Sequence, residues 1–112
     1  MKTALLLFSA IALMSACQSG PAFSDKVNET SYGNIQLGMN YEQVVFEMGG
    51  LDGQKKLEDP ATGYAAYDWP NGDMATTTYS ISVAFSNDQV VGKAGTSYDE
   101  KGQVIKQDRY PN

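Results

Sequence analysis

The oxygen-rich side chains that could bind a cation are gathered near the middle of the chain. Asp68, Asn71 and Asp73 supply carboxylate and amide oxygens, which are the ligands that Ca²⁺ prefers. Their spacing differs from that of the twelve-residue calcium loop, which ends on a bidentate glutamate. Because residues 70–73 (Pro-Asn-Gly-Asp) are also a strong turn signal, we interpret the three residues as turn formers and predict no metal site.

Groups suited to catalysis are scarce. The chain has no histidine, the side chain used most often as a general base near neutral pH and as a metal ligand. Glu42 and Glu47 fall on one exposed surface of a predicted helix, and neither has a sequence neighbour that would prepare it for acid catalysis. We therefore predict that the protein is not an enzyme and binds no cofactor.

The charge balance excludes nucleic acid as a partner. Eight basic residues stand against thirteen acidic ones, for a net charge of −5. The basic residues are dispersed, so the chain offers no patch that could neutralise phosphates. With 112 residues there is room for one small domain, and a domain of that size gains stability from a partner.

Cys17 is the only cysteine, so by itself it forms neither an internal disulfide nor a zinc site. Lys2 and the apolar run 4–14 precede it, as in a secretory signal, and this run is too short to span a bilayer. Residues 13–17 (Leu-Met-Ser-Ala-Cys) resemble the bacterial lipobox. This resemblance implies a signal peptide over residues 1–16 and a mature protein whose first residue, Cys17, carries fatty acyl groups such as palmitate.

The residues after the cysteine indicate where the protein is held. By the same resemblance, Gln18 in place of an aspartate implies the outer membrane, with the domain facing the periplasm. Residues 17–30 are rich in Ser, Gly, Pro and charged residues, a composition typical of a flexible tether. Such a tether spans about 20 Å, so it would hold a domain just off the membrane surface.

A corner between two helices is predicted at the start of the domain. A first helix over about residues 31–36 ends before Gly38, for which we predict a positive φ. Asn40 and Gln43 form a capping box, so a second helix begins at Tyr41. Four residues of the second helix form an apolar stripe that needs a sheet to cover it: Tyr41, Val44, Val45 and Met48.

Further along the chain the apolar period changes from 3.6 to 2. We predict a weak, charged edge strand followed by three stronger strands, over residues 54–58, 64–69, 76–86 and 89–97. The fold class is therefore α+β, with two short N-terminal helices packed on a three- to four-stranded antiparallel meander sheet. The domain covers residues 31–98, and residues 99–112 form a polar tail that frays towards its end.

Several short motifs occur between residues 32 and 97. They are Ile35-x-x-Gly38-Met39, Tyr67-x-Trp69 and Ile81-Ser-Val-Ala-Phe85. With this combination the chain resembles the superfamily that contains the SmpA/OmlA lipoproteins and the repeats of β-lactamase inhibitor protein. Asn40 provides the helix cap where members usually have threonine. The resemblance implies a small α+β domain, while the task must be argued from its surfaces.

The resemblance implies two functions. The first is a lipid-anchored interaction module of the cell envelope, an accessory in outer-membrane integrity or barrel-protein assembly. The second is an inhibitor-like protein that binds a periplasmic enzyme such as a β-lactamase through a loop. Glu58 and Asp59 are the acidic residues available for that loop. In both cases the partner is an envelope protein, and a pull-down from solubilised envelope distinguishes them.

Aromatic residues are the other candidates for binding. Tyr64, Tyr67, Trp69 and Tyr79 could bind a sugar or a lipid, but packing against the helix stripe explains the last three without a ligand. Phe46 lies about 140° from Tyr41 on the helical wheel, away from the apolar stripe. It either packs against the first helix or the tail, or is an anchor for a partner.

Overall fold

The computed structural model describes residues 23–111. Its elements are, in chain order, α1 (Glu29–Asn34), α2 (Tyr41–Glu47), β1 (Gln54–Asp59), β2 (Tyr64–Pro70), β3 (Tyr79–Ser86), β4 (Gln89–Tyr98) and β5 (Val104–Tyr110). Neither helix of this part of the chain has the length and apolar character needed to cross a membrane. The predicted signal peptide over residues 1–16, the lipid-attachment residue Cys17 and the first part of the predicted tether lie outside the described residues.

The corner between the two helices forms as its sequence predicts. The Asn40 side chain accepts a hydrogen bond from Gln43 N (2.8 Å), and the Gln43 side chain accepts one from Asn40 N (2.9 Å). Gly38 has a φ of 91°, which confirms the left-handed turn. Gly38 N donates to Val90 O (2.9 Å), and Val90 N donates to Met39 O (2.8 Å). These two bonds attach the corner to β4.

Helix α1 begins at Glu29, two residues before its predicted start, because Asn28 caps it. The Asn28 side chain accepts a hydrogen bond from Ser31 N (2.9 Å). Val27, within the predicted tether, is buried in the core. The Ser31 hydroxyl donates to Glu47 O (3.2 Å), so α1 is joined to the end of α2.

The five strands form one antiparallel sheet in which sequence neighbours are spatial neighbours, in the order β1-β2-β3-β4-β5. Strand β3 is central, and its residues alternate between buried and half-exposed along its whole length. Its buried side chains face the helices, as period-2 patterning requires when one sheet face is covered. They are Tyr79, Ile81, Val83 and Phe85.

The core lies between the helices and the inner face of the sheet. Val44 and Met48 of α2 are completely buried there, as the apolar stripe predicts. Trp69 is also fully buried and donates its indole N–H to Leu51 O (2.7 Å). The predicted core positions of Trp69 and Tyr79 are thereby confirmed, and Tyr67 packs against the same cluster, partly buried.

The predicted fold class is wrong in its proportions. Of the described residues 23–111, 43% are in strands and 15% in helices, and the sheet has five strands instead of three or four. The fifth strand lies within the predicted polar tail. Asp99 forms the turn before it, because its carboxylate accepts hydrogen bonds from Lys101 N and Gln103 N (both 2.9 Å). An edge strand needs backbone pairing more than apolar side chains, so a polar sequence pairs with β4.

Candidate protein-binding site

One face of the sheet packs on the helices, and no element of the described chain covers the other, outer face. The register places small side chains at the centre of that face. Ala66 pairs with Ala84 and Ala84 with Gly92, while Ser82 pairs with Ala94 in the adjacent row. We call this surface the outer platform, defined by Ala66, Ser82, Ala84, Gly92 and Ala94.

The outer platform is a shallow groove because its side chains are small. Its volume is about 320 Å³, and Tyr64 and Arg109 are among the larger residues that line it. The alternation of β3 produces this shape, since Ile81 and Val83 point to the core while Ser82 and Ala84 point outward. Small side chains allow a partner's backbone to approach the sheet closely.

Cross-strand hydrogen bonds hold the polar side chains of the outer face. The Asp68 carboxylate accepts from Ser82 Oγ (2.7 Å), and the Tyr98 hydroxyl lies 3.0 Å from Ser80 Oγ. Gln107 Nε2 donates to Thr96 Oγ1 (3.1 Å). These side chains are therefore ordered before any partner binds, which lowers the entropic cost of association.

Of the two predicted acidic residues, Asp59 lies at one end of the outer platform, whereas the register places Glu58 on the helix side of the sheet. Glu58 and Asp59 are exposed at the end of β1, and Asp59 pairs with Tyr64 across the hairpin. The Asp59 carboxylate accepts from Ala61 N (3.1 Å), which shapes the turn. Glu58 is paired with Lys55 (3.0 Å) in an exposed ion pair. The structure thus brings Asp59 next to the aromatic end of the groove.

Phe46 lies on a different surface. It is 79% exposed and faces solvent on α2, whose opposite side inserts Val44 and Met48 into the core. Because α2 covers the inner face of the sheet, Phe46 and the outer platform are on opposite sides of the domain. The structure therefore does not bring Phe46 together with Glu58 and Asp59.

The oxygen ligands considered for calcium are used in local structure. The Asp73 carboxylate accepts from Ala75 N, Thr76 N and the Thr76 hydroxyl, and these bonds lower its pKa. The Asn71 side chain accepts from Thr78 N (2.9 Å). Both are turn formers, as predicted, whereas Asp68 bonds across strands. No group of three or more metal-ligating side chains occurs within residues 23–111.

Two groups with displaced pKa values, Tyr79 and Lys93, face the inner side of the sheet. Burial raises the pKa of Tyr79 to about 12, with a further contribution from the negative charge of Glu29. Burial lowers the pKa of Lys93, whose ammonium donates to Tyr32 O (2.7 Å) and Ile35 O (2.9 Å). These groups support the packing of α1 on the sheet, and their side chains point away from the outer platform.

The outer platform was missed by sequence reasoning that searched for charged and aromatic residues. Its signal is the run of small residues at alternate positions of β3 and β4, such as Ser82 and Ala84, or Gly92 and Ala94. The alternation predicts a solvated face, which is correct. It does not distinguish a face that is merely solvated from one that binds a protein.

Comparison with known proteins gives one match. The family described as beta-lactamase inhibitor (BLIP) matches residues 28–112. No curated protein and no solved structure matches the chain. The matched segment begins at Asn28, the cap of α1, and contains both helices and all five strands. The family pattern therefore spans every helix and strand of the described residues, and the chain belongs to the beta-lactamase inhibitor (BLIP) family.

Proposed function

We propose that the protein is an inhibitor that binds an enzyme of the β-lactamase class. Membership of the inhibitor family supports this function over the envelope-assembly one. The single observation that carries the proposal is the outer platform. It is an uncovered surface with ordered side chains, on which a partner protein can bind. The domain acts by occupying its partner's active site, without catalysis of its own.

The shape of the outer platform suits a protruding element of the enzyme. The platform centre is smooth at Ala84 and Gly92, and Tyr64 and Tyr98 stand towards its two ends. Tyrosine supplies a large contact area at a low entropic cost, and it is enriched at binding hot spots. Aromatic residues and Arg are enriched at protein interfaces, and Tyr64, Tyr98 and Arg109 supply them around the small centre.

The acidic hairpin end supplies the inhibitory group. Asp59 is exposed beside Tyr64, so a partner seated on the outer platform meets it at the rim. β-Lactam substrates carry a carboxylate, and a cleft that binds it is complementary to an acidic side chain. We propose that Asp59 enters the cleft, because its turn holds it at the hairpin end.

Inhibition of purified β-lactamases tests this function. Increasing amounts of the protein are expected to slow hydrolysis of a chromogenic cephalosporin by at least one enzyme of a β-lactamase panel. Ala84→Arg, which fills the outer platform, is expected to abolish inhibition, and Asp59→Asn to weaken it. Glu42→Arg introduces the same side chain on the opposite side of the domain and serves as the matched control. An absence of both inhibition and binding across the panel would refute the function.

We further propose that the protein acts at the outer membrane, anchored by lipid on Cys17 and facing the periplasm. The support is in the sequence alone: the apolar run before the cysteine, the lipobox-like residues 13–17 and Gln18 after it. An anchored inhibitor would be held at high local concentration where a periplasmic β-lactamase meets incoming β-lactams.

A further inference from the structure

Strand β5 (Val104–Tyr110) is the last strand of the sheet, so in the described chain it is paired only on the side of β4. Six of its seven residues are exposed, and Asp108 is half-buried. A free edge presents backbone N–H and C=O groups that can pair with a further strand. The side chains of β5 determine which strand can pair with this edge.

The sequence of β5 is complementary to itself. When two copies run antiparallel about Gln107, Lys106 of each copy stands opposite Asp108 of the other, which gives two ion pairs. Gln107 stands opposite its own copy, while Ile105, which the register of β5 against β4 skips, lies outside the regular stretch 106–110. Opposite charges directly across an antiparallel pair stabilise it, and two glutamine amides can each donate to the other.

The faces of the strand agree with this pairing. Lys106 and Asp108 both lie on the helix side, where Lys106 is also 3.6 Å from Glu29. Gln107 lies on the outer side, where it bonds to Thr96, and Arg109 lies on the same side and lines the outer platform.

The ion pairs that Lys106 forms within its own chain are weak, so Lys106 can leave them to pair with Asp108 of a second copy. Its distances to Glu29 (3.6 Å) and to Asp108 of its own strand (3.7 Å) are long, and all three side chains are about half exposed or more. Such ion pairs contribute little to the folding free energy. The ammonium can therefore turn to a second Asp108 across the edge.

The opposite edge of the sheet is less suited to pairing. The register of β1 against β2 shifts between Lys55 and Leu57, in the middle of a six-residue strand. A bulge at that place twists the edge and leaves only short stretches with regular spacing. The register of β5 against β4 also shifts, but near the start of the strand, between Val104 and Lys106, so residues 106–110 keep a regular spacing. Lys55 is already engaged with Glu58 at 3.0 Å. The observations therefore favour β5.

We propose that two copies of this chain associate through antiparallel pairing of their β5 strands about a two-fold axis at Gln107. The pairing joins two five-stranded sheets into one continuous sheet. Because the axis is perpendicular to the sheet, the two outer platforms face the same side. The interface is isologous and closes on itself, which limits the assembly to a dimer.

Sedimentation velocity over a range of protein concentrations tests the dimer. The full chain carries Cys17→Ser so that lipid cannot cause association. Lys106→Glu and Asp108→Lys each place like charges opposite one another twice, and each is expected to weaken self-association about tenfold or more. Mixing the two variants restores opposite charges at both positions. The mixture is therefore expected to form a heterodimer that neither variant forms alone as a homodimer.

The mixing experiment separates pairing from folding defects, because a misfolded variant is not repaired by a second one. Lys56→Glu on β1 makes the same charge change at the other edge and is expected to leave the dimer intact. A chain that stays monomeric at every concentration would overturn the proposal. So would a mixture that fails to associate while each variant keeps its native circular dichroism. These outcomes are independent of β-lactamase inhibition.

Discussion

The Tyr79 hydroxyl lies directly against the backbone of Gly95 on the neighbouring strand. A Cβ atom at position 95 would collide with that oxygen and stand 3.0 Å from Tyr79 Cζ and 3.2 Å from Tyr32 Cδ1. Gly92, three residues earlier in β4, has no such neighbour, because a Cβ there would meet only Tyr110 O at 3.5 Å and Pro111 Cδ at 3.8 Å. The two glycines of one strand therefore have different roles.

Gly95→Ala is expected to destabilise the protein by about 1–3 kcal/mol, because the buried ring of Tyr79 must move to admit the methyl group. Gly92→Ala is the matched control, and it is expected to leave the free energy of unfolding within about 0.5 kcal/mol of the parent or to raise it slightly. Urea denaturation of both variants measures the difference. Equal stabilities would show that the ring does not depend on Gly95.

Local signals in the sequence predict the helices and the central strands. The capping box of Asn40 and Gln43 acts within four residues, so its geometry does not depend on the rest of the fold. The alternation of β3 predicts its inner and outer faces in the same way. Strand β5 depends instead on β4, which supplies its backbone partners. The polar sequence of β5 does not by itself indicate that it pairs with β4.

The binding surface is harder to predict for a related reason. No single residue of the outer platform indicates a binding site from its type alone. Only the strand register brings Ala66, Ala84 and Gly92 into one row. The sequence indicates Phe46 and Asp59 as candidates because an exposed aromatic or acidic side chain can by itself contribute to binding. The structure places only Asp59 beside the outer platform.

Gly38→Val is expected to destabilise the protein by about 1–3 kcal/mol, because a β-branched residue is strained at a φ of 91°. No atom lies near the added Cβ, so the loss would report backbone strain alone. Gly33→Ala in α1, where the added methyl group also has open space, is expected to stabilise by about 0.5–1 kcal/mol. Thermal melts compare the two, and an unchanged melting temperature for Gly38→Val would contradict the corner geometry.

Tyr79→Phe is expected to change how stability depends on pH. The Tyr79 hydroxyl is buried without a hydrogen-bond partner, and its pKa is raised from 10.0 to about 12. Between these values the unfolded chain releases this proton while the folded protein keeps it, so the parent loses stability as pH rises through that window. Below pH 10 the variant should equal the parent or exceed it by about 1 kcal/mol.

Urea melts between pH 8 and pH 12 measure this dependence, because this range includes both the ordinary pKa of 10.0 and the raised pKa of Tyr79 of about 12. The stability advantage of Tyr79→Phe is expected to grow as pH rises above 10. Tyr110→Phe, at a tyrosine that is 52% exposed, provides the control and should follow the parent. If the free energy of unfolding depends on pH in the same way in the parent and in Tyr79→Phe, then Tyr79 contributes nothing to the loss of stability at alkaline pH.

Cys17→Ser is expected to release the protein from the membrane fraction, because serine cannot carry a thioether-linked lipid. Mass spectrometry of the parent should show acyl groups on residue 17, and Ser19→Ala should keep both the acyl groups and the membrane location. If the parent carries no acyl mass and Cys17→Ser remains membrane-bound, the predicted anchor is wrong.

Phe46→Ala is expected to cost less than about 1 kcal/mol of stability, because the ring is 79% exposed and little apolar area is lost from the core. Met48→Ala, two residues away and fully buried, should cost about 2–5 kcal/mol. Since Phe46 lies on the opposite side from the outer platform, inhibition of a β-lactamase should be unchanged in the Phe46 variant. If the variant keeps its stability but loses inhibition, the interface lies on α2 and Phe46 is the residue that anchors the partner.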